Sequence, residues 1–93
     1  METINEAEAL RDVLLSIAAP ALAKLQSGGD TQAVNVIAKT ILGDRAGIFE
    51  LEVTDGVLSI FIKSKILDVA GFPLRLRKDD DVIKQVNIAL KLG

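Results

Sequence analysis

The chain contains no cysteine, histidine, tryptophan or tyrosine, and these four absences exclude several kinds of chemistry. Without cysteine there is no disulfide, no thiolate nucleophile and no cysteine-ligated zinc or iron–sulfur site. Without histidine the chain lacks the commonest general base and the most frequent transition-metal ligand. We therefore expect a protein that is not an enzyme, and we predict no catalytic residue, no metal ligand and no cofactor.

Aromatic side chains are scarce, since three phenylalanines are the only ones in the chain. Tryptophan and tyrosine are the preferred anchors of interface hot spots and of platforms that stack single-stranded nucleic acid. Any recognition is therefore expected to depend on aliphatic surface, backbone edges and charge.

Long apolar runs are also missing, because no segment reaches the roughly 18 uncharged residues that a membrane span needs. Residues 13–19 have the composition of a signal-peptide core, and small residues follow them. A secretory signal begins with positive charge, but residues 1–12 carry four acidic side chains and one basic side chain. We expect a cytoplasmic protein that makes no membrane contact.

What the chain does contain is aliphatic: 49% of its 93 residues are hydrophobic, and 26% are charged. This composition is typical of a folded globular domain and not of a disordered segment. The length predicts one domain covering residues 1–93.

The first half of the chain has helical spacing and helix-capping residues. Apolar residues spaced three and four apart predict a helix over about 4–19, and Pro20 favours a new helical segment over 20–26. Two glycines at positions 28 and 29 end that segment. Asp30 is a natural N-cap for a helix over 31–42. The spacing in this helix predicts two faces: an inward face of Val34, Ile37, Ala38 and Ile41, and a polar stripe of Gln32, Asn35 and Lys39.

The middle of the chain predicts a β-hairpin with a defined register. Residues 47–54 and 57–63 are strand-like, and Asp55-Gly56 between them has the chemistry of a type I′ turn. A two-residue turn pairs Thr54 with Val57. It also places six apolar residues on one face: Phe49, Leu51, Val53, Leu58, Ile60 and Ile62.

The last third predicts two shorter strands and a closing helix. Residues 66–70 suggest a third strand, and the alternation of residues 74–78 suggests a fourth strand at the sheet edge, just after Pro73. Asp79-Asp80-Asp81 lacks the spacing of a calcium loop and is interpreted as a cap for a helix over 81–92. Val82, Ile83, Val86, Ala89 and Leu90 are its expected inward residues. The expected fold is α+β, with an antiparallel meander of three to four strands between N-terminal helices and a C-terminal helix.

The aliphatic content exceeds what one small core easily hides. Ile48, Phe61 and Ile66 are candidates for the outer sheet surface, and Leu15 and Leu22 for the outer side of the first helices. Surplus apolar surface usually marks a subunit contact. We therefore expect a homo-oligomer, in its commonest form a two-fold dimer.

Charge is divided unevenly along the chain. Residues 1–62 carry four basic and nine acidic side chains, a sum of −5, and residues 63–93 carry seven basic and four acidic, a sum of +3. The basic excess lies in Lys63, Lys65, Arg75, Arg77 and Lys78, which the predicted pairing gathers at one sheet edge. This cluster is a candidate site for a protein partner or an anion, or else a device against edge-to-edge aggregation. Attraction between the acidic and basic halves of two subunits is a third interpretation.

The order of helix, glycine turn, helix and hairpin also matches a winged helix-turn-helix. In that interpretation Gln32, Asn35 and Lys39 would read DNA base edges. The acidic N-terminal half opposes it, because phosphate attraction supplies most non-specific affinity for DNA. The favoured hypothesis is a non-catalytic protein–protein interaction or assembly module, and a DNA-binding regulator is the alternative.

Overall fold

A computed structural model describes residues 6–63 and 72–91, and it has the predicted α+β architecture. A three-stranded antiparallel sheet in the order β1-β2-β3 follows two N-terminal helices and precedes a C-terminal helix. The elements are α1 (Glu6–Gln26), α2 (Thr31–Leu42), a 3-10 helix (Gly43–Ile48), β1 (Phe49–Thr54), β2 (Val57–Ile62), β3 (Leu74–Arg77) and α3 (Val82–Ala89). The fold class expected from the sequence is confirmed.

The first helix differs from the prediction in one respect, because α1 continues through Pro20. A proline inside a helix removes one backbone hydrogen bond, which is why a break was expected there. Ile17 and Ala18 before the proline and Ala21 and Leu22 after it are all buried in the same core. Packing on both sides of Pro20 therefore holds the two segments together as one helix.

Helix ends lie where the capping residues indicated. Gly28 has a φ of 92°, and the amide of Gly29 donates to the carbonyl of Lys24 at 2.8 Å beyond the end of α1. The Asp30 carboxylate accepts from the Ala33 amide at 2.9 Å, and the Asp81 carboxylate accepts from the Lys84 amide at 3.2 Å. These bonds satisfy amides that a helix start otherwise leaves unpaired.

The hairpin has the predicted register at every position. Thr54 pairs with Val57, and the pairing continues to Phe49 with Ile62. Asp55 and Gly56 both have positive φ, 53° and 76°, as a type I′ turn requires. The six apolar residues predicted for one face are buried or half-buried there.

Gly56 offers a direct test of this turn. We expect Gly56→Ala to lower the free energy of unfolding by about 1 kcal/mol, because an L side chain is strained at this φ. An added Cβ meets nothing within 4 Å, so the loss reflects backbone strain alone. Gly47→Ala is the matched control, because Gly47 has equal space and no positive φ. Equal stabilities of the two variants in urea unfolding would contradict the turn assignment.

The strand after the hairpin is shorter than predicted, and it lies beside β2. Leu74 pairs with Ile60, and Leu76 pairs with Leu58. The edge strand predicted over residues 74–78 is present as Leu74–Arg77, and among the described residues it is the third strand of the sheet. The strand predicted over 66–70 lies outside the described residues.

The core lies between the inner sheet face and the helices. Leu14 and Ile17 of α1, Val34 of α2 and Val86 of α3 are fully buried. Leu22 was expected to face outward and is buried as well. Since α1 contacts both α2 and α3, its apolar stripe is covered from two sides, and this explains why Leu22 is enclosed.

Two residues predicted to face inward do not. Ile41 is 42% exposed on α2, and Ile83 is 60% exposed on α3. The buried positions of α2 are Val34, Ala38 and Leu42. The helix is rotated relative to the prediction because polar side chains, described below, attach it to the edge of β1.

Candidate interaction surface

The sheet has a second face that points away from the helices, and we call it the outer sheet face. It alternates with the buried positions along each strand. Its members are Glu50, Glu52 and Thr54 of β1, Val57, Ser59 and Phe61 of β2, and Arg75 and Arg77 of β3. The β1 and β3 members are exposed, and those of β2 are half-buried.

Charge on the outer sheet face is separated by strand. Both carboxylates, Glu50 and Glu52, lie on one edge strand, and both guanidinium groups, Arg75 and Arg77, lie on the other. Across the described residues the structure gives none of these four an ion-pair partner within the chain. The face therefore has an acidic side and a basic side with neutral residues between them.

The predicted basic cluster is only partly formed. Two of its members, Arg75 and Arg77, are the outward residues of β3, and Lys78 follows them in the turn after the strand. Lys63 follows the far end of β2, where its amide donates to the carbonyl of Ile48. Arg77 pairs with Val57, six residues before Lys63, so the two positions are about 20 Å apart along the strand. Lys65 lies outside the described residues.

The predicted DNA-reading stripe contains a residue with a structural role. The Asn35 amide donates to the carbonyl of Leu51 at 2.7 Å, and its oxygen accepts from the Leu51 amide at 3.2 Å. Thr31 does the same one turn earlier: its hydroxyl accepts from the Val53 amide at 2.8 Å and donates to the Val53 carbonyl at 3.3 Å. Two side chains of α2 thus occupy the backbone groups on the outer edge of β1.

This arrangement places Asn35 on the sheet side of α2 and not on an opposite polar stripe. Its amide also donates to the Thr31 carbonyl at 2.9 Å, so both of its polar atoms are occupied. Gln32 and Lys39 are exposed on the same helix. Base reading by these three residues stays a prediction, and Asn35 could take part only by giving up its bonds to β1.

Thr31 was missed by the sequence reasoning, although a signal was present. Thr31 and Asn35 are four residues apart, which places them on one helical face. Leu51 and Val53 are two residues apart, which points their amides and carbonyls in the same direction from the strand. The distance between Thr31 and Asn35 along the helix therefore matches the distance between Val53 and Leu51 along the strand, so each side chain meets one strand residue.

The other sheet edge is short and partly occupied. The Arg77 amide donates to the Asp80 carboxylate at 2.8 Å, and the Asp80 amide donates back to the Arg77 carbonyl at 3.1 Å. Asp80 therefore closes the turn after β3. Two exposed arginines on this strand also oppose the approach of an identical strand, because like charges that face each other repel.

Exposed aliphatic side chains lie on two different helices. Val36 and Ile41 of α2 and Ile83 and Ile88 of α3 are the large hydrophobic residues most exposed in the described chain. Ile83 and Ile88 line a shallow groove on α3. Both helices contact α1, and these residues project from separate helices. Each of the two helices therefore contributes two exposed aliphatic side chains.

Ile48, Phe61 and Ile66 were predicted for the outer sheet surface and Leu15 for the outer side of the first helices, and the structure places the described ones in two environments. Phe61 lies on the outer sheet face and is half-buried, whereas Ile48 and Leu15 are half-buried against the core. Ile66 lies outside the described residues. The outer sheet face therefore carries less aliphatic surface than expected, and its charge pattern is the more distinctive feature.

Metal ligands, membrane spans and similarity to other proteins are the remaining indications of function. Residues 6–63 and 72–91 contain no group of three or more acidic side chains placed to hold a metal ion. In the same ranges no helix combines the length and apolar character that crossing a membrane requires. The chain matches no protein-family model, and neither a curated protein nor a solved structure is significantly similar to it.

Proposed function

We propose that the protein is a non-catalytic interaction module whose outer sheet face binds a second copy of the chain. The supporting observation is the separation of Glu50 and Glu52 on one edge strand from Arg75 and Arg77 on the other. In a two-fold dimer the same patch meets itself. A patch that carries both signs side by side is complementary to its own copy, which favours association.

The placement of the carboxylates supports binding more than catalysis. Catalytic groups usually converge in a concave pocket, whereas Glu50 and Glu52 are exposed side chains on the open face of a sheet. We also propose a cytoplasmic location, which a chain without cysteine suits. Self-association is the activity that these features support best.

The size of the face sets the expected strength of the contact. Three strands spaced about 4.8 Å apart, with four to six residues each, give a face of roughly 15 by 20 Å, or about 300 Å². A stable interface buries about 800 Å² on each partner. We therefore expect a dissociation constant on the order of 100 µM unless neighbouring segments add to the contact.

Sedimentation equilibrium from about 10 µM to about 1 mM tests the proposal. At about 20 mM salt the average mass is expected to rise with concentration toward that of a dimer. At about 500 mM salt the dissociation constant should increase severalfold, because exposed charge pairs are screened. A monomer mass over the whole range at low salt would contradict the proposal.

A further inference from the structure

Cross-strand pairing places three outward residues in one row. Glu52 pairs with Ser59, and Ser59 pairs with Arg75. Because neighbouring strands are about 4.8 Å apart, the acid and the base lie about 10 Å apart on either side of the serine. Read from β1 to β3 the row is acidic, neutral and basic, and it reads in the opposite order when the sheet is turned over about β2.

Given the proposed self-association, on which this step rests, we infer that two copies stack their outer sheet faces about a two-fold axis parallel to β2. This operation lays β1 of one copy over β3 of the other and preserves position along the strands. Glu52 of each copy then faces Arg75 of the other, and the contact contains this pair twice. Arg77 lies one outward position further along and adds to the positive field at Glu52.

The charge pattern selects this axis over the other in-plane choice. An axis perpendicular to the strands would lay β1 over β1 and β3 over β3. Glu52 would then face its own copy and Arg75 would face its own copy, and both contacts are repulsive. Only the axis parallel to β2 brings opposite charges together on both sides of the sheet.

The middle strand suits a position on the axis. Val57, Ser59 and Phe61 are uncharged and half-buried, and each would face its own copy across the interface. Stacked sheets pack about 10 Å apart, a distance that side chains of this size fill. A charged residue on β2 would face an identical charge, and the described part of this strand has none on its outer face.

Joining the copies through their sheet edges is the competing arrangement. The outer edge of β1 is occupied by Thr31 and Asn35 of α2. At the edge of β3 the Arg77 amide is bound to Asp80, and Arg75 would meet its own copy in an antiparallel pairing. The edges therefore offer little free backbone, and the face remains as the contact.

Charge reversal at the two paired positions tests the axis. We expect Glu52→Arg alone or Arg75→Glu alone to weaken the dimer at least tenfold at low salt, because each places like charges opposite each other twice. The double variant Glu52→Arg/Arg75→Glu restores an acid opposite a base at both places. Its dissociation constant is expected to return to within about threefold of the unchanged protein.

The double variant separates the two axes. Around an axis perpendicular to the strands, reversing both charges leaves like facing like, so no restoration over the single variants would occur. Its net charge is also that of the unchanged chain, since −2 + 2 − 2 = −2. Restoration therefore supports the inferred axis, and failure to restore overturns it.

Net charge needs its own control, because Glu52→Arg changes it from −2 to 0 and Arg75→Glu changes it to −4. Asp44→Arg and Lys84→Glu make the same changes at exposed positions off the outer sheet face. These controls should leave the dissociation constant within about twofold. Equal weakening by the controls and the single variants would overturn the inference, and circular dichroism on each variant checks that the fold is retained.

The outcomes also separate this inference from the proposed function. If the unchanged protein is a monomer at every concentration, the proposed function fails and the inference falls with it. If it forms a dimer that neither single charge reversal weakens, the proposed function stands and the stacked-face geometry is wrong.

Discussion

Replacing Leu76 by alanine is expected to lower the free energy of unfolding by about 3–4 kcal/mol. Leu76 is fully buried on β3 and pairs with Leu58, which is also fully buried. The substitution removes most of an aliphatic side chain and leaves a cavity that the short strand cannot close by shifting. For a domain of about this size the loss would lower the thermal midpoint by roughly 12–30 °C.

The loss from Leu76→Ala is large relative to the total free energy of unfolding, because a small domain has only a small total. A chain of 93 residues typically unfolds with about 5–14 kcal/mol, so one cavity of this kind removes a substantial part. Ile88→Ala is the control, because Ile88 is 57% exposed. It should change the stability by less than about 0.5–1 kcal/mol. Urea unfolding that finds the two variants equally stable would show that β3 does not pack on the core as described.

The second large effect is expected at the contact between α2 and β1. Asn35→Leu keeps the approximate size of the side chain and removes three hydrogen bonds. The amide and carbonyl of Leu51 would be left without partners beneath an apolar side chain that keeps water away. Since each unpaired buried polar group costs about 1–3 kcal/mol, we expect a loss of about 3 kcal/mol.

Thr31→Val tests the same contact one turn earlier with an isosteric change. It removes the hydroxyl that binds the amide and carbonyl of Val53, and we expect a loss of about 1–2 kcal/mol. Thr40→Val is the matched control, because the Thr40 hydroxyl binds only the Val36 carbonyl of its own helix and is exposed. Equal unfolding energies for these two variants would contradict the attachment of α2 to β1.

The Asn35 variant also bears on the DNA-binding alternative. If Asn35 read base edges, Asn35→Leu would weaken binding to duplex DNA and leave the stability of the free protein nearly unchanged. The structure leads us to expect the opposite: a clear loss of stability, with no binding of a random duplex at low salt by either protein. A steeply salt-dependent complex with the unchanged protein would instead support the winged-helix interpretation.

The hairpin shows how much of this fold is encoded locally. Alternation along β1 and β2 and the two residues Asp55 and Gly56 specify one register, and the structure has that register. The reason is physical, because a shift by one residue would move every apolar side chain to the other face. Helix caps at Asp30 and Asp81 are local in the same sense, since a cap needs only a side chain and the next turn of backbone.

The orientation of α2 shows what local patterns leave open. Apolar spacing alone placed Ile41 inward and Asn35 outward, and both assignments were wrong. A helix that covers a sheet edge needs an apolar face toward the core and polar side chains toward the unpaired backbone of the strand. The spacing of apolar residues indicates only where the apolar face lies. The rotation of α2 also depends on its polar contacts with β1, so it could not be predicted from that spacing.

The continuity of α1 has a similar explanation. Pro20 weakens the helix by removing one local hydrogen bond, and the sequence shows only that local cost. The compensating contacts of Ile17 and Leu22 involve residues from distant parts of the chain. Whether a helix breaks or continues at such a proline therefore depends on packing that forms only when the chain is folded.

The absence of cysteine, histidine, tryptophan and tyrosine determined from the start which kinds of site to expect, and the alternation of residues 49–62 determined the sheet that carries the candidate surface. Only the tertiary structure decided that Arg75 lies in one row with Glu52, because their alignment depends on the pairing of β3 with β2, two strands that residues 63–73 separate in the sequence. In the strands, local alternation fixes the face on which a side chain lies. Long-range pairing fixes its neighbours, and the charge pattern of the outer sheet face depends on those neighbours.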